Sequence, residues 1–121
     1  MEIKNMTEKG GYIIDVNNIK KLMNIDVKGV FTPEQAVQFH TDYQKQVNSI
    51  SAKDYTLDID CTDMQVIKQD MIPLLTKSYE LYKTSGFGKI EFKIIKNPII
   101  KMQLNRIAKN IDLPNYEIIE L

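Results

Sequence analysis

Two aspartates and a threonine lie close together in the middle of the sequence and could do chemistry. Asp58, Asp60 and Thr62 alternate with Ile59 and Cys61 near the end of a segment that has the pattern of a β-strand. A carboxylate at the end of a strand can attack a phosphoryl group, and a second carboxylate two residues later can transfer the proton. The same spacing also places both aspartates on one polar face of a strand, without a catalytic role.

The pattern resembles the opening motif of the haloacid dehalogenase superfamily of phosphatases, in which the first aspartate is the nucleophile. Such an enzyme also needs a late pair of acidic residues to bind magnesium. The acidic residues after Asp70 are isolated from one another: Glu80, Glu91, Asp112, Glu117 and Glu120. We therefore interpret Asp58 and Asp60 as solvent-facing strand residues and expect no catalytic residue. A phosphatase that uses them is kept only as a second alternative.

Composition and charge predict one folded domain. The chain has 121 residues, of which 43% are hydrophobic and 26% are charged, enough apolar material for a core. Sixteen basic residues balance sixteen acidic ones, so no overall field favours nucleic acid or a membrane surface. We predict a single domain at residues 11–121, preceded by an N-terminal extension at residues 1–10.

Cysteine usage and hydropathy bear on the location of the protein. Cys61 is the single cysteine, so it cannot form an internal disulfide, and we expect it to be buried and inert. No leader pattern and no apolar run long enough for a membrane span is present. We expect a cytoplasmic bacterial protein with another protein as its partner and with no nucleic acid, membrane insertion or cofactor. The oligomeric state stays open.

Hydrophobic periodicity predicts a hairpin followed by alternating helices and strands. The hairpin turns at Asn17 and Asn18, and its second strand alternates apolar and polar residues up to Gly29. A helix opens at Thr32 with proline next and Gln35 completing a capping box. Strands follow at residues 55–61, 89–95 and 116–121. This order predicts a single-domain α/β fold with a mixed, mostly parallel sheet of about five strands and three main helices.

The second and third helices are bounded by recognisable residues. Gly86 suits a left-handed cap at the end of the second helix, and Asn97 followed by proline opens the third. The start of the second helix is ambiguous. Pro73 would break a helix that begins at Gln65, but it is tolerated in the first turn of a helix capped by Asp70.

The order of elements and two short segments resemble the STAS domain, the fold of anti-sigma factor antagonists and of the cytoplasmic tails of sulfate transporters. Residues 57–62 are similar to the Leu-x-Asp-x-Ser pattern of that family, and residues 70–74 resemble its D-S-S-G-L helix start. The resemblance implies a STAS-like fold and a non-catalytic role as a protein-interaction or regulatory module.

The sequence departs from that family at the switch position. Antagonists of this type are switched by phosphorylation of a serine at the helix start, because the added negative charge disrupts docking to the kinase partner. Met71 and Ile72 stand where the hydroxyls would be, and Pro73 replaces the glycine. We therefore predict a divergent member that lacks the phosphorylatable serine.

Loops at the carboxyl ends of parallel strands commonly present binding sites. We therefore predict a partner-binding surface in the loop of residues 62–69 and the first turn of the second helix. The hypothetical contact residues are Thr62, Asp63, Met64, Gln65, Lys68, Gln69 and Met71.

Two further features have an ordinary and a functional interpretation. Residues 83–109 contain seven basic residues and one acidic residue, which is typical of a solvated helix face. The alternative is a patch for an anion or an acidic partner at Lys96, Lys101 and Arg106. His40 lies beside the apolar stripe of the first helix, where a packed or boundary histidine is favoured over a metal ligand.

The many methionine and isoleucine residues leave one more alternative, a carrier of a small apolar ligand. These residues are also ordinary core material. A carrier of this kind would need a cavity larger than about 300 Å³ between the sheet and a helix.

Overall fold

The computed structural model describes residues 2–121, which form six strands and three helices. The strands are β1 (Glu2–Thr7), β2 (Gly10–Asn17), β3 (Leu22–Gly29), β4 (Thr56–Met64), β5 (Lys89–Ile94) and β6 (Tyr116–Glu120). The helices are α1 (Pro33–Val47), α2 (Ile72–Ser85) and α3 (Pro98–Asn110). Two short 3₁₀ turns, Ala52–Asp54 and Gln69–Met71, precede β4 and α2.

All six strands form one mixed sheet, and their order in space follows their order in the sequence. The strands β1, β2 and β3 pair antiparallel, whereas β3 to β6 run parallel. Each parallel connection contains one helix and leads to the next strand in the same direction. Right-handed crossovers therefore place all three helices on one face of the sheet. The predicted single α/β domain with a mostly parallel sheet and three helices is confirmed.

The core lies between that face and the helices. Alternate residues of the central strands are fully buried there: Ile14, Met23, Ile25, Leu57, Ile90 and Ile94. Aromatic side chains connect the helices to the sheet. The ring of Tyr43 on α1 meets that of Tyr82 on α2 edge-on, with 5.3 Å between centroids, and Tyr79 stacks on Phe92 of β5 at 5.1 Å.

The predicted starts of α1 and α3 are confirmed by their hydrogen bonds. The Thr32 hydroxyl accepts from the Gln35 amide at 3.1 Å, and the Gln35 side chain accepts from the Thr32 amide at 2.9 Å. This reciprocal pair is the capping box. The Asn97 side chain accepts from the amides of Ile99 and Ile100. Both helices thus begin where short-range hydrogen bonding satisfies their first free amides.

Several predicted bounds were wrong. The sheet has six strands rather than about five, because Glu2–Thr7, within the segment expected to be an extension, pairs with β2 as an edge strand. The strand β4 continues to Met64, three residues past the predicted end, because its last residues pair with β3. Asp70 does not cap α2, which begins at Ile72 after the turn Gln69–Met71 and has no side-chain cap. Pro73 does lie in the first turn of α2, as expected.

Two glycines have left-handed backbone conformations in different surroundings. Gly86 ends α2 with φ of 77°, and a Cβ added there would meet no heavy atom within 4 Å. Gly29 ends β3 with φ of 61°, but a Cβ there would lie 2.1 Å from the carbonyl oxygen of Lys9. The neighbouring amide of Val30 donates to the same oxygen at 3.0 Å, so the two chain segments are held together.

Replacing each of these glycines by alanine separates the cost of a left-handed backbone from the cost of a Cβ clash. We expect Gly86→Ala to lower the free energy of unfolding by about 1 kcal/mol, from the left-handed conformation alone. Gly29→Ala adds a backbone clash, and we expect a loss of roughly 2–4 kcal/mol. Urea denaturation of both variants measures the difference. Equal losses would show that the Lys9 segment moves aside without cost.

Candidate functional site

The predicted partner-binding segment lies where β4 leaves the sheet. After Met64 the chain forms an irregular loop at residues 65–68, then enters the turn Gln69–Met71 and α2. The side chain of Gln103 on α3 holds this loop in place. Its carbonyl oxygen accepts from the Ile67 amide at 3.0 Å, and its amide nitrogen donates to the Ile67 carbonyl at 2.9 Å. The loop is therefore fixed to α3 by two hydrogen bonds between the Gln103 side chain and the backbone of Ile67.

The seven predicted contact residues divide into an exposed and a half-buried group. The exposed residues are Asp63, Gln65, Lys68 and Gln69, and the half-buried residues are Thr62, Met64 and Met71. Three of the seven, Thr62, Asp63 and Met64, belong to β4 rather than to the loop. Met64 packs partly against the core, so less of its side chain is open to a partner than in the exposed group.

The polar members at the end of β4 have partners within the fold. The carboxylate of Asp63 lies 3.5 Å from the ammonium of Lys28 on β3, with both side chains largely exposed. The Thr62 hydroxyl donates to the Asp60 carboxylate at 2.6 Å, and the Thr62 amide donates to the same oxygen at 3.0 Å. Lys68 makes no ion pair with the residues from 2 to 121. Lys68 is thus the charged contact residue whose side chain is available to a partner.

An apolar cleft opens between this loop, α1 and α2. Its volume is about 100 Å³. Residues of all three segments line it, among them Val66 and Lys68 of the loop, Phe39 of α1 and Leu74 of α2. The cleft is well below the roughly 300 Å³ expected of a small-molecule carrier. It is large enough for one apolar side chain.

Exposed apolar residues beside the loop were missed by the sequence analysis. Val66 in the loop is 45% exposed, and Ile95, Ile99 and Met102 are 48%, 51% and 50% exposed. The sequence could have revealed two of them, because Ile99 and Met102 lie three residues apart on one helix. The core stripe of that helix is formed by other residues: Ile100, Leu104 and Ile107. A second apolar stripe on a helix that already has a core stripe indicates an apolar face turned to solvent.

The predicted basic patch is spread around the start of α3. Lys96, Lys101 and Arg106 are all exposed, but only Lys101 has an ionic partner in the described chain, the carboxylate of Glu120 at 2.5 Å. That hydrogen bond lowers the pKa of Glu120. Lys101 and Arg106 are five residues apart, about 140° around the helix axis, so they do not share one face. Lys96 lies before α3, directly after the exposed Ile95 and three residues before Ile99.

His40 connects α1 to α2 at the side of the cleft. Its Nε2 lies 2.8 Å from the hydroxyl of Ser78, and the side chain is half-buried. Burial, and secondly the nearby Lys77, lowers the pKa of His40. Ser78 lies in the middle of α2, where the backbone amides are used by the helix and cannot stabilise an oxyanion. The pair is therefore a structural bridge, in agreement with the predicted boundary histidine.

The opposite face of the sheet has no helix and carries the aspartates of the sequence motif. Asp58 pairs with Lys93 of β5 at 2.8 Å through one oxygen, while its other oxygen is buried without a hydrogen-bond partner among the described residues. This hydrogen bond raises the pKa of Lys93. Asp58 is the third residue of a nine-residue strand, so it lies within the strand and not at its carboxyl end.

Acidic side chains crowd this open face. Asp26 of β3 is the direct cross-strand neighbour of Asp60. Burial and then the charge of Asp60 raise the pKa of Asp26. A depression of about 310 Å³ is lined by Glu2, Ile13, Asp15, Asn24, Asp26, Asp58, Asp60 and Lys93. It is polar and lies on the helix-free side, so it is not the apolar cavity that a carrier would need.

Three other features bear on the chemistry of the chain. Cys61 is buried, and burial raises the pKa of its thiol to about 12, so it is not a reactive thiolate. Among residues 2–121, no three His, Cys, Asp or Glu side chains are grouped so as to hold a metal ion. None of the helices in this part of the chain is long and apolar enough to cross a membrane.

Solved structures with the same fold are found, whereas no protein-family model matches and no curated protein matches. One similar structure is an uncharacterised protein from the DUF3478 family with a SpoIIAA-like fold from Shewanella loihica PV-4. It has a TM-score of 0.67 and 16% sequence identity, covering 98% of this chain and 93% of that chain. Another is an anti-sigma factor antagonist from Mycobacterium paratuberculosis. It has a TM-score of 0.52 and 10% identity, covering 93% of this chain and 90% of that chain. The predicted STAS-like fold is therefore confirmed.

The crowded aspartates of the open face predict a stabilising substitution. Because the pKa of folded Asp26 lies above its unfolded value of 3.8, the native state binds more protons between these values and loses stability as pH rises through them. We expect Asp26→Asn to have a higher free energy of unfolding than the wild type at pH 7. The gain disappears below pH 3.8, where Asp26 is protonated in both states. Denaturant titrations across this range test it, with the exposed Asp54→Asn as control. A destabilised Asp26→Asn at pH 7 would contradict the raised pKa.

His40 predicts a loss of stability on mild acidification. Its folded pKa lies below the unfolded value of 6.5, so the unfolded state binds more protons between the two values. Stability is therefore fully present above pH 6.5 and falls as pH drops through this window. His40 is the single histidine, so His40→Gln removes this slope while an amide can still bond to Ser78. Urea denaturation at several pH values measures it. Identical slopes in wild type and variant would contradict the assignment.

Proposed function

We propose that the chain is a non-catalytic protein-interaction or regulatory module of STAS type, without the phospho-serine switch. The observation that carries this proposal is the loop of residues 65–68. It is exposed at Gln65, Val66 and Lys68, yet its backbone is fixed by Gln103 of α3. An exposed and ordered loop at the carboxyl ends of parallel strands is suited to recognition, because little conformational entropy is lost on binding.

The chemistry of the start of α2 supports the absence of the serine switch. Met71, Ile72 and Pro73 occupy this position and offer no hydroxyl. Thr62 is the nearest upstream hydroxyl, but it already donates to Asp60. A phosphate on Thr62 would lie against that carboxylate, and the repulsion would disfavour it. Regulation of this module then does not use phosphorylation at the start of α2.

The two alternative functions receive less support. A phosphatase would need Asp58 as a free nucleophile at a strand end, but Asp58 is paired with Lys93 within β4. A carrier of a small apolar ligand would need a larger cavity than the cleft of about 100 Å³. We therefore infer a protein partner in the cytoplasm, the compartment expected from the single unpaired thiol.

A charge reversal at Lys68 tests the proposed surface. Because Lys68 is exposed and has no ionic partner in the described chain, we expect Lys68→Glu to change the free energy of unfolding by no more than about 0.5 kcal/mol. Capture of the native partner from the host, using cross-linking and affinity purification, is expected to be lost. Lys20→Glu, a reversal at an exposed lysine in the β2–β3 turn, is the matched control.

The same two variants, Lys68→Glu and Lys20→Glu, can also contradict the proposal. A Lys68→Glu protein that captures its partner as well as the control would remove Lys68 from the interface. If Lys68→Glu unfolds at much lower denaturant concentration than Lys20→Glu, this segment serves the core and the proposed site is withdrawn. If the wild type captures no protein at all, the interaction module itself is rejected.

A further inference from the structure

The exposed large apolar side chains are concentrated at one end of the molecule. Those of the described chain are Ile19, Val37, Val66, Ile95, Ile99, Met102 and Leu121. Four of the seven belong to the loop of residues 65–68 (position 66), to the segment between β5 and α3 (position 95) or to the first half of α3 (positions 99 and 102). Single exposed apolar residues are ordinary, but a group of them marks an interaction surface.

Hydrogen bonding holds the loop of residues 65–68 beside α3. Gln103 binds the backbone of Ile67 at two points and lies four residues after Ile99 and one after Met102. Residues at positions 99 and 103 share one face of α3, so the loop is held beside that face. We call this area the loop–α3 surface and define it by Val66, Lys68, Ile95, Lys96, Ile99 and Met102.

Both charged residues that define this surface are lysines, and the exposed Asp70, two residues after Lys68, lies outside it. Lys68 and Lys96 have no ion pair within residues 2–121, and residues 95–109 include four basic residues but no acidic one. The nearby carboxylate of Asp63 is directed to Lys28 of the neighbouring strand. An apolar strip with unpaired cations at its sides is complementary to an apolar strip with carboxylates at its sides.

The adjacent cleft indicates what kind of side chain a partner could insert. Loop residues 65–68 line both the cleft and the loop–α3 surface, and Met71 and Leu74 of α2 line the cleft from the other side. Its volume of about 100 Å³ suits one apolar side chain and is below the roughly 300 Å³ of a small-molecule pocket. One buried apolar anchor surrounded by a flatter contact is the arrangement found when a protein helix lies in a groove.

We infer that the loop–α3 surface docks an amphipathic helix of a partner protein, with an apolar stripe flanked by Asp and Glu. This inference rests on the proposed function and specifies the chemistry of the partner. The apolar stripe covers Val66, Ile99 and Met102, and one apolar side chain enters the cleft. The flanking carboxylates lie near Lys68 and Lys96, and they set the orientation of the helix.

A designed peptide tests this inference without the native partner. The probe is a fluorescent helical peptide of about 20 residues with leucine on one face and glutamate on the other, long enough to be helical when bound. The control peptide has lysine in place of every glutamate. Anisotropy titration measures the dissociation constant of each peptide for the full chain. We expect the acidic peptide to bind and the basic one to bind at least about tenfold more weakly.

A matched pair of variants locates the binding. Ile99→Glu places a carboxylate in the loop–α3 surface, and Ile19→Glu makes the same change at an isoleucine that is 94% exposed in the β2–β3 turn. We expect Ile99→Glu to raise the dissociation constant of the acidic peptide at least about tenfold. Ile19→Glu is expected to change this constant less than about twofold. Equal unfolding curves of the two variants confirm that folding is intact. If Ile99→Glu is less stable, Lys96→Glu serves as the second variant, with the same expectation.

Each other outcome overturns the inference. Equal binding of both peptides would show that charge has no part in recognition. Binding of phosphatidylglycerol vesicles, abolished by Ile99→Glu, together with no binding of the acidic peptide, would assign the surface to a membrane. No binding of either probe would also reject it. The proposed function fails separately, because it depends on capture of a native protein through Lys68.

Discussion

The parallel connections between β3 and β6 all advance in one direction across the sheet, and right-handed crossovers then leave one face without helices. This constraint divides the molecule into a covered face, where the core lies, and a bare face. Parallel strands are usually covered on both sides, so the bare face must be polar to remain in water. The alternation of apolar and acidic residues in β4 follows directly: Leu57, Ile59 and Cys61 are buried, and Asp58 and Asp60 lie on the other side.

The same arrangement concentrates the connections at one end of the sheet. The chain leaves β3, β4 and β5 at their carboxyl ends, so the segments that precede α1, α2 and α3 meet there. The Gln65 amide donates to the Gly29 carbonyl of β3 at 3.4 Å, but the middle of the loop of residues 65–68 has neither a helical cap nor strand pairing to fix its backbone. Gln103 supplies that function from α3, and burial of aromatic residues between α1, α2 and β5 keeps the helices in place. A surface assembled from two segments far apart in sequence can thus be ordered before any partner arrives.

Local sequence signals were sufficient for most of the fold. The caps at Thr32 and Asn97 and the glycine after α2 each act within four residues, so the sequence displays them completely. Long-range pairing decided the features that were wrong. The strand β1 forms because Glu2–Thr7 pairs with β2. The end of β4 extends to Met64 because it pairs with the end of β3. The bond from Gln103 to the loop joins residues 36 apart, and no periodicity reveals such a contact. The spacing of the exposed Ile99 and Met102 was visible in the sequence, but the core stripe of the same helix was the stronger pattern.

The balance of sixteen basic and sixteen acidic residues conceals an uneven distribution of charge. Carboxylates gather on the bare face, where Glu2, Asp15, Asp26, Asp58 and Asp60 surround a single Lys93. By contrast, residues 95–109, which follow β5 and include most of α3, carry four basic residues and no acidic one. A chain without net charge can therefore still have local fields of opposite sign. Such a field does not increase nonspecific attraction to polyanions, but it does orient a partner that carries both apolar and acidic groups. Charge neutrality thus argues against nonspecific binding and not against a specific electrostatic contact.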